Sequence, residues 1–188
     1  LYCNTTGCHN NAIGRKALLY NTTGDHNTAI GFCALMNSLS GDHNFAAGQC
    51  ALYSNWGGCY NNAIGYLALQ SNTTGDFNTA IGYQALTAQD TGYAEAHNVA
   101  VGYNAGLAVS TGIYNTLIGG QAGDAITTGW NNIAIGYNAL GAENTGARSI
   151  AIGNAALAAQ NNAGYNYNIA IGHNAGTSVS TGVENVLI

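Results

Sequence analysis

The sequence predicts an all-β fold, a parallel β-solenoid (a β-roll or β-helix) of about eleven coils of about 17 residues each. Two glycine series with one period and several columns of matching residue types support this prediction. A fixed short period is the signature of stacked repeats that share one core. The first series is the glycine of the A-I-G-like triplet: Gly14, Gly31, Gly48, Gly65, Gly82, Gly102, Gly119, Gly136, Gly153 and Gly172, mostly 17 residues apart.

The second glycine series keeps the same period and precedes the first by seven residues in the regular coils. Insertions of about three residues near 93–96 and of one or two around 161–167 interrupt the period. We expect them at the Thr-Gly corner, where a loop can bulge without disturbing stacked strands. We expect residues 1–188 to form a single solenoid domain and to be a fragment of a longer fibre, because the last coil stops before its glycine.

Each coil follows the consensus N-T-A-I-G-Y-x-A-L-x-x-N-T-T-G-D-x, nearly intact at 78–86. A glycine inside this unit would weaken a helix by about 1 kcal/mol, and the unit is too short for a helix pair. The consensus therefore predicts two short strands, N-T-A-I-G-Y and A-L, separated by corners. Stacked coils would repeat at about 4.8 Å.

Three apolar columns are predicted to form the core. They are the Ile or Val before the first glycine (Ile13, Ile30 and their equivalents), the Ala three residues after it, and the Leu that follows. Three coils replace this Leu by glycine and carry a β-branched residue three positions later. We expect that residue to fill the space left by the missing Leu, so that Leu86→Gly alone would be costly. The exchanged pairs are Gly106 with Val109, Gly123 with Ile126, and Gly176 with Val179.

An asparagine column precedes the first glycine by four residues, with Ser149 as its exception. We interpret it mainly as a structural ladder that hydrogen-bonds coil to coil and caps the turn. A ligand-binding role is the alternative. Its central members are Asn27, Asn44, Asn61, Asn78, Asn98, Asn115 and Asn132.

Tyrosines directly after the first glycine are the candidate ligand contacts: Tyr66, Tyr83, Tyr103 and Tyr137. Their rings could stack on sugars, or they could pack against a neighbouring subunit, because tyrosine pairs an apolar body with a polar tip.

Histidines His9, His26 and His43 share one column and are weak candidates for a metal site. The column continues with Tyr60 and Phe77, which favours a tolerant aromatic position, so we expect no metal and no cofactor.

Two cysteines, Cys33 and Cys50, also share a column in adjacent coils, at a separation that allows a disulfide. Such a bond would indicate an oxidising, extracellular setting.

Composition excludes several classes of function. Charged residues are 6% of the chain, with three Lys+Arg against eight Asp+Glu and a net charge of −5. A nucleic-acid binder or a polybasic membrane patch needs clustered cations, and no apolar run is long enough to cross a membrane. No Ser/His/Asp set occurs at a plausible site, so we expect a protein that is not an enzyme.

The N-T-A-I-G-Y-x-A-L and N-T-T-G-D motifs resemble the repeats in shafts of bacteriophage tail fibres and related bacterial surface proteins. They are also similar to the A-I-G repeats in heads of trimeric autotransporter adhesins. The resemblance implies a left-handed solenoid, a homotrimer, and an extracellular, cell-surface or virion location, with a surface glycan or protein as partner.

The expected function is therefore a structural fibre shaft or adhesin module. One alternative is a self-assembling head-to-tail filament without a receptor, which the assembly state would distinguish. Another is an ice-binding solenoid, suggested by the threonine column that includes Thr6, Thr23 and Thr128. That column is expected at a corner, where a flat face is unfavourable.

Overall fold

A computed structural model describes residues 1–92 and 95–188, and within them the chain is all-β without helices. The strands are short and regularly spaced. They are β1 Asn11–Ile13, β2 Thr28–Ile30, β3 Phe45–Ala47, β4 Asn62–Ile64, β5 Thr79–Ile81, β6 Val99–Val101, β7 Thr116–Ile118, β8 Ile133–Ile135, β9 Gly146–Ala147, β10 Ile150–Ile152, β11 Gly164–Tyr165, β12 Ile169–Ile171 and β13 Val186–Leu187.

Eleven of these strands form one parallel sheet in chain order, from β1 through β8 to β10, β12 and β13. Equivalent residues face each other, as Ala29 faces Ala46 between β2 and β3. Each coil thus adds one strand, and the chain forms a β-solenoid of about ten turns with a spacing of about 17 residues. The predicted fold class is confirmed in this form, while its handedness stays a prediction.

The predicted second strand at A-L is wrong. This stretch is a turn in every coil, and its Leu adopts a left-handed backbone, with φ of 49° at Leu35 and 51° at Leu69. That conformation costs a non-glycine residue roughly 1–2 kcal/mol. The turn is retained because it points the Leu side chain into the interior, where Leu35 and Leu69 are fully buried.

The core consists of the Leu column and two Ala columns, one of them the middle residue of each strand. Ala29, Ala46 and Ala80 are completely buried. The Ile column, in contrast, faces outward: Ile30 is 39% exposed and Ile64 36% exposed. Its assignment to the core is therefore wrong. Side chains alternate along a strand, so burying the middle Ala places both of its neighbours on the outer face.

The first glycine column is required by a close approach of successive coils. A Cβ built on Gly31, where φ is +130°, would lie 2.7 Å from the Gly48 carbonyl oxygen of the next coil. Real Cβ atoms do not come this close, so the coils can stack only if this position is glycine.

The exchange between two coil types is present as predicted, and it has a further participant. Val109 and Ile126 are fully buried beside Gly106 and Gly123. A Cβ on either glycine would also meet the side chain of Leu117, at 2.7 Å in both cases. Leu117 occupies the middle-strand position that is Ala in most coils, so two side chains together replace the missing Leu.

The insertions lie beside the sheet and leave its register intact. The second insertion contains β11, which pairs in parallel with β9. Residues 93 and 94 of the first insertion lie outside the described residues, and next to them Asp76 forms a parallel bridge with Glu95.

Candidate functional site

The outward surface of the sheet consists of two columns, the first and third residues of each strand. The third residue is Ile or Val in most coils, and the first changes from Asn, Thr or Phe in β1–β5 to mainly Ile and Val from β6 onward. Neither column contains a charged residue within these strands. We name this surface the Ile face. Sequence reasoning missed it because an uncharged outward column has the same composition as a core column.

The tyrosine column lies just beyond the Ile face, after the glycine. Tyr66 and Tyr83 stack with ring centroids 5.1 Å apart, and Tyr83 and Tyr103 at 5.4 Å. Gly120 separates Tyr137 from the other three. All four are exposed, between 39% for Tyr66 and 57% for Tyr103. The structure thus presents a continuous face of three rings and a fourth ring by itself.

The asparagine column forms a ladder of hydrogen bonds inside the corner. Oδ1 of Asn27 accepts the backbone N–H of Asn44 at 2.9 Å, and its Nδ2 donates to the carbonyl of Gly41 at 2.7 Å. The ladder members from Asn27 to Asn168 are at most 1% exposed, so their amides satisfy the backbone and are not open to a ligand. The same two contacts recur at Asn10, Asn44, Asn61, Asn98, Asn115, Asn132 and Asn168.

Glutamine connects the ladder across each insertion. Gln89 donates to Oδ1 of Asn78 and accepts from Nδ2 of Asn98. Gln160 donates to the hydroxyl of Ser149 and accepts from Asn168. Both glutamines are fully buried and occupy the inward corner position that holds a shorter Asn in regular coils such as that of Asn72. The longer side chain reaches two ladder members, whereas Asn72 donates to the corner carbonyl of Gly75.

Glu143 occupies the same inward column and is fully buried. Its carboxylate accepts four N–H donors: the backbones of Asn144 and Gly146, Nε2 of Gln160 and Nδ2 of Asn166. Glu143 stands at a corner of its coil, with its side chain directed inward. Val109 and Ile126 stand in the same column, which was the available sign that this position points inward.

The three candidate metal-ligating histidines stack face to face. Ring centroids are 4.7 Å apart for His9 and His26 and 4.8 Å for His26 and His43, with interplanar angles of 12° and 5°. Nitrogen lone pairs lie in the ring planes, so parallel stacked rings do not direct them at one ion. Among residues 1–92 and 95–188, no three His, Cys, Asp or Glu side chains are grouped to hold a metal.

The histidines belong to a stack of seven rings on one edge of the solenoid, with centroid spacings of 4.7–5.4 Å. We name it the aromatic stack. Its order is His9, His26, His43, Tyr60, Phe77, His97 and Tyr114. Beyond its C-terminal end, aromatic rings surround the Arg148 guanidinium, which lies 4.9 Å from the Trp130 ring centroid and 4.7 Å from that of Tyr165. We name this group of three side chains the arginine cage.

The Cys33 and Cys50 thiols are neighbours, with Cys33 buried and Cys50 half-buried. Burial raises the pKa of the Cys50 thiol, and the charge and hydrogen bond of Cys33 raise it further. Both thiols are free in the structure, and the disulfide stays a prediction.

Carboxylates beside the histidine column hold adjacent coils together. Oδ1 of Asp25 accepts the Cys8 N–H at 2.6 Å, and Oδ1 of Asp42 accepts the Asp25 N–H at 2.7 Å. These two carboxylates therefore have a structural role, because each bonds to the backbone of the neighbouring coil.

The threonine column of the ice-binding alternative lies outside the sheet. It stands on the bend just before the glycine of the second series, where Thr6, Thr23 and Thr128 are exposed.

Together, the eleven-stranded parallel sheet, the glycine contacts and the asparagine ladder define a β-solenoid repeat protein. Comparisons with protein-family models, with curated proteins and with solved structures gave no match. Within the described residues, no helix has the length and apolar character needed to cross a membrane.

Proposed function

We propose that this solenoid is a structural module of an extracellular fibre or adhesin, which self-associates, attaches to a surface and performs no catalysis. The observation that carries the proposal is the Ile face. It runs along all eleven strands of the sheet, it is uncharged, and Ile30, Ile64 and Ile118 leave more than a third of their surface exposed. Extended exposed apolar patches mark interaction surfaces.

The size of the Ile face suits association with further copies of the chain. Eleven strands at about 4.8 Å, each about 10 Å long, give a face of roughly 500 Å². Two copies facing each other would bury on the order of 1,000 Å², which is the lower limit for a specific interface. Adding the neighbouring tyrosine column would increase this area and the aromatic content that interfaces favour. A homotrimer around a common axis would use these columns in every subunit.

Sedimentation velocity tests the assembly. We expect the wild-type chain to form a discrete oligomer, and the double variant Ile135→Lys and Ile152→Lys to sediment as a monomer, because lysines would have to be desolvated in the interface. Ala159→Lys is the matched control. It adds a lysine at an exposed position of the Ile152 coil, in the turn stretch outside both the Ile face and the tyrosine column.

Circular dichroism would show that all variants keep their β-structure. A wild-type chain that stays monomeric at every concentration would contradict self-association. An indefinitely growing polymer would favour the filament alternative over the discrete fibre module.

A further inference from the structure

The aromatic stack ends beside an open position. Tyr114 stacks on His97 at 5.4 Å on one side, and the next residue of the column, toward the C-terminal coils, is Asn131. The coil after that carries Arg148, whose guanidinium lies over Trp130 and Tyr165. One ring is therefore missing between Tyr114 and the arginine cage.

A groove of about 370 Å³ lies at this position, lined by Thr111, Ile113, Tyr114, Thr128, Trp130 and Asn131. Its lining is mainly apolar, and Thr111, Thr128 and Asn131 contribute hydroxyl and amide groups. The Arg148 guanidinium and the edge-on Tyr165 ring, with a centroid distance of 5.6 Å to Trp130, hold the indole in place. Preformed apolar walls with a few polar groups are typical of small-molecule sites.

We propose that this groove binds one pyranose ring of a neutral glycan, stacked on the free face of Tyr114. Two coil spacings, about 10 Å, separate the coils of Tyr114 and Arg148, which leaves room for one ring. The C–H face of a pyranose packs on an aromatic ring, and its equatorial hydroxyls would reach the threonine hydroxyls and the Asn131 amide. A purely aromatic ligand would desolvate those polar groups and leave them unpaired, which disfavours its binding.

A second interruption, in the tyrosine column, does not form a comparable site. Gly120 separates Tyr103 from Tyr137, but a Cβ built on Gly120 would lie 3.4 Å from Cδ2 of Tyr137. The Tyr137 ring therefore already covers this interruption. The position at Asn131, in contrast, opens into the groove beside Tyr114.

This inference rests on the proposed function and deepens it, because it gives the surface attachment a ligand class and a location. The two can fail separately. Assembly depends on the Ile face, whereas glycan binding depends on the groove beside Tyr114, and sedimentation does not report on the groove.

The test is a titration with methyl glycosides of the common hexoses and N-acetylhexosamines, in which saturation-transfer NMR detects binding. Trp130 fluorescence in a Trp56→Phe background gives a second readout. We expect saturable binding of at least one glycoside. Asn131→Phe should weaken it by about tenfold or more, equivalent to about 1.4 kcal/mol, because the new ring would fill the groove.

The Asn131→Phe variant is suited to this purpose because the column accepts aromatic residues at the same backbone angle, with φ of 55° at Asn131 and 59° at Phe77. Thr128→Arg, at the exposed rim, is a second blocking variant should the first not fold. Tyr20→Ala, at an exposed tyrosine outside the groove, the aromatic stack and the tyrosine column, is the control and should leave binding unchanged. No saturable binding of any glycoside to the wild-type chain, or equal binding by both blocking variants, would overturn the proposal.

Discussion

The coils up to Leu86 and the coils from Val99 onward share one strand register but fill their interior differently. The first group uses Leu at every turn, with an Asn, Ser or Gln at the inward corner position. The second group mixes Leu turns with glycine turns, and its inward corner holds Val109, Ile126 and the carboxylate of Glu143. The strands of the eleven-stranded sheet keep the same parallel pairing throughout, and the corner contacts change only near the two insertions. The cross-section is therefore set by the glycine and asparagine ladders, and the filling can change provided that its volume and hydrogen bonds are balanced.

The largest loss of stability is expected when a glycine turn of the second group is placed in a coil of the first group without the buried side chain that normally accompanies it. Leu69→Gly removes a fully buried side chain in a coil whose inward corner residue is Asn72, which is not β-branched. We expect a loss of about 2–4 kcal/mol, after subtracting the relief of the left-handed backbone at that position. Thermal and denaturant unfolding would measure it.

Compensation is tested by adding Asn72→Val, which copies Val109, to the Leu69→Gly variant. The double variant should recover part of the lost stability, because the valine refills part of the core volume and the Gly75 carbonyl still receives the Nδ2 of Asn61. A double variant no more stable than Leu69→Gly would show that the two fillings are not interchangeable.

A smaller effect is expected from Glu143→Gln, which probes the polar filling of the second group. All four partners of the carboxylate are N–H donors, so an amide would direct its own N–H₂ at donors. We expect a loss of about 1–3 kcal/mol, measured by chemical denaturation. Glu184→Gln, at an exposed position, should have almost no effect. Equal stability of both variants would contradict the assignment of the four hydrogen bonds.

The smallest effect is expected at Asp124, a carboxylate in a turn column that is uncharged in the first group. Burial raises the pKa of Asp124, partly offset by backbone N–H groups of Asp124 and Ala125. A raised pKa means that the ionised form destabilises the fold, so this contribution to stability is present at low pH and is lost as pH rises through the folded pKa. Asp124→Asn should therefore raise the melting temperature slightly at neutral pH.

The difference between Asp124→Asn and wild type should disappear below about pH 3.9, the pKa of an unperturbed Asp. Melting curves over a pH series would show this. A stabilisation that is independent of pH would mean that charge is not its cause.

The sequence predicted the features that depend on the repeat period, and missed those that depend on whether a side chain points into or out of the solenoid. The spacing, the parallel register, the insertion sites and the exchange of Leu for Val109 follow from columns that repeat many times. Whether a column points inward depends on the turn angles around it, which composition does not contain. Ile30 looked like core because the outer face is as uncharged as the interior, and Leu35 looked like strand because its left-handed backbone is invisible in the sequence.

The candidate site was only partly predictable for the same reason. The tyrosine positions are evident from the sequence, whereas the groove at Asn131 depends on a ring that is absent and on Arg148 reaching across to Trp130. A missing member of a column becomes meaningful only when the neighbouring rings are seen to stack.

The asparagine ladder also has a consequence for how such a chain can change its length. Each regular coil offers its neighbour above the same amide oxygen that it receives from its neighbour below. Removing or duplicating one whole regular coil would leave every remaining pair of coils with matching partners, and would change the length of the solenoid by one strand spacing, about 4.8 Å. Unequal recombination between coils could therefore lengthen or shorten the structure in whole-coil steps, without new contacts having to arise.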